Sequence, residues 1–149
     1  MNWKSLQNQG RIERHATSKA ELDELRAAID RNLTDAALAG LSSDNRFVIA
    51  YQAALISAKM AVACAGYRVK GQGAHQTTFE ALKLAMGPAM KQSADYFDRC
   101  RRKRNDLSYE SEGIVSQADA DELFEKAGEL RKEVEAWILQ HHPTLATPT

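Results

Sequence analysis

The run IAYQAALISAKMAVACAGY, residues 49–67, constrains the fold more than any other stretch of this chain. Ala50, Ala53, Ala54, Ser57 and Ala61 put small side chains beside a stripe of Phe47, Tyr51, Leu55, Ala58 and Val62. Small residues let neighbouring helix axes approach closely, and a helix that is apolar most of the way round must be covered on several sides. Those are the requirements of the central helix of a bundle. Gln52 and Lys59 interrupt the run, so it is not read as a membrane span. At its end Gly66 can take the positive φ of a helix stop.

The flanking sequence offers helices to cover it. Ser18 reads as an N-cap with Glu21 three residues on, the spacing of a capping box. Leu22, Leu25, Ile29 and Leu33 follow at helical intervals, in a helix expected to fade near Gly40. Ser42 and Ser43 offer the cap of the central helix, with Asp44 in its first turn. Beyond the glycine loop, HQTTFEALKLAMG restarts a helix on Phe79, Leu82 and Met86. Gly87 and Pro88 break it, and Pro88 suits the first turn of a helix carrying Met90, Ala94 and Phe97. Ser116 with Asp119 opens a last helix with Leu123, Ala127, Leu130, Val134 and Trp137 on one face. No internal repeat and no strand-like alternation is visible. The expectation is an all-α, up-and-down bundle of four or five helices spanning residues 18–141. Residues 1–17 read as an N-terminal arm or short helix, and 142–149 as a frayed tail.

A chain of 149 residues, 44% of them hydrophobic, is long and apolar enough to bury a core and too apolar for a disordered segment. Its 20 Lys and Arg balance its 20 Asp and Glu. Zero net charge argues against bulk attraction to nucleic acid, so any electrostatic site must be a local patch. Cys64 and Cys100 lack ligand spacing and read as reduced, packed thiols of a cytoplasmic protein. The stretch after Met1 has no apolar core of a signal peptide. No metal or cofactor is expected: His15, His141 and His142 lie in end segments.

The local patch is DRCRRKRNDLSYES, residues 98–111, where five of the six residues from Arg99 to Arg104 are basic. At 100° per residue, Arg101, Arg104, Asn105, Ser108 and Tyr109 fall within an arc of about 140° on a continuing helix. Guanidinium forks suit phosphate oxygens, and Asn can fix a sugar, a base edge or backbone. The bland alternative pairs the cations with Asp95, Asp98, Asp106 and Glu110 on neighbouring turns.

RRKRNDLSYE resembles the signature helix of the HEPN superfamily (higher eukaryotes and prokaryotes nucleotide-binding domains). A second segment, residues 50–82, is similar to the Ala-rich helix, GYR stop, glycine loop and His-headed helix of a mostly uncharacterised bacterial branch of that superfamily. Together the two segments set the pattern over roughly 60 residues of the chain. The resemblance implies a helical domain acting as a homodimer whose paired motifs form one cleft, and in many members a metal-independent endoribonuclease. In those enzymes an Arg stabilises the phosphate and a His four to six residues beyond moves the 2′-hydroxyl proton. Arg104 and Asn105 match the first half of that motif, and Tyr109 stands where the His is looked for. A phenol with an ordinary pKa near 10 is a poor base at neutral pH, so binding with weak or absent cleavage is expected.

The site residues expected from sequence are therefore Arg101, Arg104, Asn105 and His75 for a phosphate of RNA or a nucleotide. Arg104 with Tyr109 is the pair for any catalysis, and His75 is an alternative proton carrier. Tyr67 and Arg68 are read as closing the central helix, or as the rim of the groove. The resemblance also admits a partner nucleotidyltransferase or antitoxin. In such pairs the modified Tyr lies two residues after the His, where this chain has Ser111. A further alternative is a helical dimer that buries the basic face against acids and takes no ligand.

Overall fold

The computed structural model describes residues 1–107 and 115–148. Its elements are α1 (Trp3–Asn8), β1 (Ile12–Arg14), α2 (Lys19–Ala36), α3 (Ser43–Cys64), β2 (Tyr67–Val69), α4 (Ala74–Met86), α5 (Lys91–Leu107) and α6 (Gln117–His141). Short 3-10 turns at Pro88–Met90 and Pro143–Leu145 complete it. The domain is all-α apart from one small ribbon, as expected from the helical periodicity.

α3 is the axis. It packs most extensively on α6 and α2, then on α4, with α5 closing the remaining side. Ser42 caps it, its hydroxyl accepting from the Asn45 amide at 3.1 Å. From Ala53 to Ala58 every side chain is buried. By length and composition α3 could cross a membrane, with a mean hydropathy of 1.6, yet 78% of that apolar window is buried inside the fold. The buried Ser57 hydroxyl donates to the Ala53 carbonyl at 2.9 Å, so the interior position carries no unmet donor. Gly66, at φ 98°, turns the chain out of the helix.

α2 covers one flank with Leu22 and Ile29 fully buried. Ser18 accepts from the Glu21 amide at 3.1 Å. The Glu21 carboxylate does not complete the box; it takes His15 Nε2 and Thr17 Oγ1, each at 2.7 Å. The helix ends at Ala36, short of the expected fade near Gly40. The Arg46 guanidinium supplies the reason, donating to the carbonyls of Ala36 at 2.8 Å and Leu38 at 2.9 Å. It satisfies acceptors that another helical turn would otherwise have used.

α6 covers the opposite flank. Ser116 caps it through the Asp119 amide at 3.0 Å, and Leu123, Ala127, Leu130 and Val134 are buried. The fifth position of that stripe is Ile138 rather than Trp137, which lies partly exposed against His141 and His142. Buried Arg26 of α2 grips Glu135 of α6 through Nε at 2.9 Å and Nη2 at 2.9 Å. The same guanidinium donates to the Leu145 carbonyl at 2.8 Å, tying the residues after α6 to α2.

The ribbon corrects the reading that found no strands. β1 pairs antiparallel with β2 in the register Ile12↔Val69, Glu13↔Arg68 and Arg14↔Tyr67. Three residues are too few for an alternation to register, and the partners lie more than fifty positions apart. The ribbon and α1 build a second, smaller core from Leu6, Ile12, Val62 and Ala81, with Trp3 stacked on Tyr67 at 4.4 Å. Arg11 fastens this layer to α4, donating to Thr77 Oγ1 and Glu80 Oε2 at 2.9 Å each.

Candidate phosphate-binding site

The basic helix α5 starts from the 3-10 turn that Gly87 and Pro88 impose, and Gly87 has φ 99°. Its buried face is Ala94, Phe97 and Cys100. That phase leaves the cations pointing in several directions. Arg99 lies over the Tyr96 ring at 5.8 Å, and Lys103 pairs with Asp119 of α6 at 2.7 Å. Arg102 is exposed, as is Asn105. Arg101 is half-buried and bonded to Asp98 one turn back at 2.8 Å. Arg101 thus follows the bland pairing, whereas Lys103 takes an acid of another helix instead. Asp95 does not serve the cluster: Lys91 holds it at 2.8 Å.

Arg104 is different. Its guanidinium carbon sits 5.6 Å from the centroid of the Tyr51 ring, on the buried axis helix α3. Cation–π attraction of this kind favours a fixed guanidinium over a mobile one. Tyr51 is fully buried, and its hydroxyl lies 3.2 Å from His75 Nδ1 in the first turn of α4. Three helices therefore contribute to one centre: Tyr51 from α3, His75 from α4, Arg101 and Arg104 from α5. A line of rings holds it in place. Tyr51 meets Phe79 edge-on at 6.1 Å, and Phe79 stacks on Phe97 of α5 at 5.7 Å.

The electrostatics follow from this placement. Burial first, then the cations Arg104, Lys59 and Arg101, hold the His75 pKa below its usual value, so the imidazole is neutral at pH 7. Burial raises the Tyr51 pKa well above the ordinary phenol range, with Arg104 and Arg101 opposing it. Tyr51 is therefore a protonated phenol beside a neutral imidazole. Two proton arrangements are open to the pair. Either the phenol donates to Nδ1 and the ring proton sits on Nε2, or Nδ1–H donates to the phenol oxygen and Nε2 keeps its lone pair. The second leaves a base facing away from the phenol.

Of the residues expected from sequence, the structure brings together Arg101, Arg104 and His75. Asn105 is on the exposed side of the same helix end, and Ser108 and Tyr109 lie outside the described residues. Tyr67 and Arg68 belong to the ribbon rather than to this centre. Tyr51 was read as part of a packing stripe and is the addition. The signal for it was a hydroxyl on the apolar stripe of a core helix, which needs a polar partner when buried. Among the described residues no group of three or more His, Cys, Asp or Glu side chains converges as a metal site. Burial pushes both thiols, Cys64 and Cys100, up to about 11, so neither is a nucleophile at neutral pH.

A family model described as SAV_6107-like HEPN matches residues 37–135. The matched stretch contains α3, α4 and α5 whole, and with them every residue of the Tyr51, His75 and Arg104 centre. No curated protein and no solved structure matches the chain.

Proposed function

The chain belongs to the HEPN superfamily, and from that premise we propose that it binds a phosphate of RNA or of a nucleotide at the Arg101 and Arg104 face of α5. The observation that carries this reading is the shared neighbourhood of both arginines with the Tyr51 and His75 pair, whose proton affinities both cations alter. Cations one turn apart, backed by a neutral hydrogen-bonding ring, suit a phosphate oxygen pair. The protein acts in the cytoplasm as a homodimer, two such centres facing one cleft. It serves a toxin–antitoxin or nucleotidyltransferase-linked module.

A second reading, metal-independent endoribonuclease, has its own supporting observation: His75 is an imidazole beside Arg104, a role Tyr109 fills poorly. In that reaction His75 Nε2 takes the 2′-hydroxyl proton and the 2′-oxygen bonds to phosphorus. The bond to the 5′-oxygen breaks, leaving a 2′,3′-cyclic phosphate, and the departing oxygen takes a proton from water. Arg104 offsets the charge that grows on the phosphoryl oxygens.

Fluorescence anisotropy of a labelled single-stranded RNA, read over a salt series with EDTA present, tests the binding reading. Each phosphate contact adds about −0.7 to the slope of log affinity against log salt. Affinity that falls along such a line supports the site. Absence of binding at low salt overturns it. Sedimentation at micromolar protein tests the dimer, which a monomer would contradict.

A further inference from the structure

A cavity of about 300 Å³ opens between α2, α3 and the ribbon. Leu25 of α2, Val62 and Ala63 of α3, and Val69 of β2 give it apolar walls. Two charged side chains at its edge are already committed. Glu21 is held by Thr17 and His15, which keep its carboxyl below the usual range, and Arg68 is paired with Glu13. The remaining cation is Lys59. It is the one charged residue between Phe47 and Cys64, and it has no ion pair among the described residues.

A cation on an otherwise apolar core helix, at the mouth of an apolar cavity, needs an explanation. Packing does not give one, because Lys59 is exposed. We propose that this cavity is a binding site for a small monocarboxylate with an apolar body, the carboxylate on the Lys59 ammonium and the hydrocarbon against Leu25, Val62 and Val69. The volume is at the lower end of the range for small-molecule sites. One available point charge matches a carboxylate better than a phosphate dianion, which favours guanidinium forks. The walls of the site are on α2, α3 and the ribbon rather than on α5, although Lys59 also adds to the positive field at His75.

The test is an amide NMR titration of the full chain with sodium octanoate, alongside acetate and 1-octanol. Acetate supplies the charge without the body, and octanol the body without the charge. The expected result is saturable shifts at the Val62, Ala63 and Val69 amides. Both controls, and octanoate on the exposed-site variant Lys59→Gln, should bind at least about tenfold more weakly. Lys59→Glu should abolish binding while leaving the spectrum of a folded protein. The proposal is overturned if octanoate at about 10 mM leaves those amides unmoved. It is equally overturned if Lys59→Gln binds octanoate as the native chain does, or if the shifts gather on α5.

Discussion

The Tyr51 hydroxyl and His75 Nδ1 lie 3.2 Å apart, joining the buried axis of the bundle to the first turn of α4 directly beside the Arg104 guanidinium. The pair turns a packing residue and a helix-start residue into one polar unit inside an apolar wall. Its chemistry can be probed one atom at a time.

Tyr51→Phe keeps the ring under Arg104 and removes only the hydroxyl. The loss of one hydrogen bond should cost about 1 kcal/mol in urea unfolding, with the m-value unchanged. His75 should change its tautomer balance, read from imidazole nitrogen shifts. An unaltered His75 spectrum would show that the bond is not formed in solution.

His75 also sets a pH dependence. Its folded pKa lies below its unfolded value near 6.5, so the unfolded chain takes up a proton first as pH falls. The neutral-ring contribution is complete above about pH 6.5 and is lost as pH drops from there to the folded-state pKa. His75→Gln should flatten that part of the stability profile. A phosphate bound beside Arg104 offsets the cation field and raises the His75 pKa, so affinity should increase with acidification in the native chain. His75→Gln should remove that increase.

Arg26 tests the scaffold independently of the site. It is 4% exposed and bonded to Glu135, Asp23 and the Leu145 carbonyl. Arg26→Ala leaves Glu135 half-buried with Arg131 alone, 3.2 Å away, so a loss of about 3 kcal/mol is expected. Denaturant unfolding measures it. A change under about 1 kcal/mol would mean that the grip adds nothing net.

Much of the fold was legible because its signals are local. Ser18, Ser42 and Ser116 cap the helices they were expected to cap, and Gly87 with Pro88 breaks α4 from α5. The small-residue surface of residues 50–61 announced a covered axis. What was not legible lies between elements. β1 meets β2 through three residue pairs far apart in sequence, and no period of either strand foretells it. The end of α2 is decided by Arg46, ten positions past the carbonyl it satisfies. The site divides the same way. Arg101 and Arg104 were visible as a helix-face pattern, whereas Tyr51 was hidden in the packing stripe because its partner is on another helix.

The most direct test of the central claim compares the native chain, Arg104→Ala and Arg101→Ala for RNA binding in EDTA at low salt, with circular dichroism confirming the fold. Arg104 should contribute charge-assisted bonds worth about 1.5–3 kcal/mol, so Arg104→Ala should weaken binding roughly 10- to 150-fold. Arg101→Ala should weaken binding as well, since both cations act on the Tyr51 and His75 pair. Native-like binding by a folded Arg104→Ala protein would contradict the account and move the phosphate away from this centre.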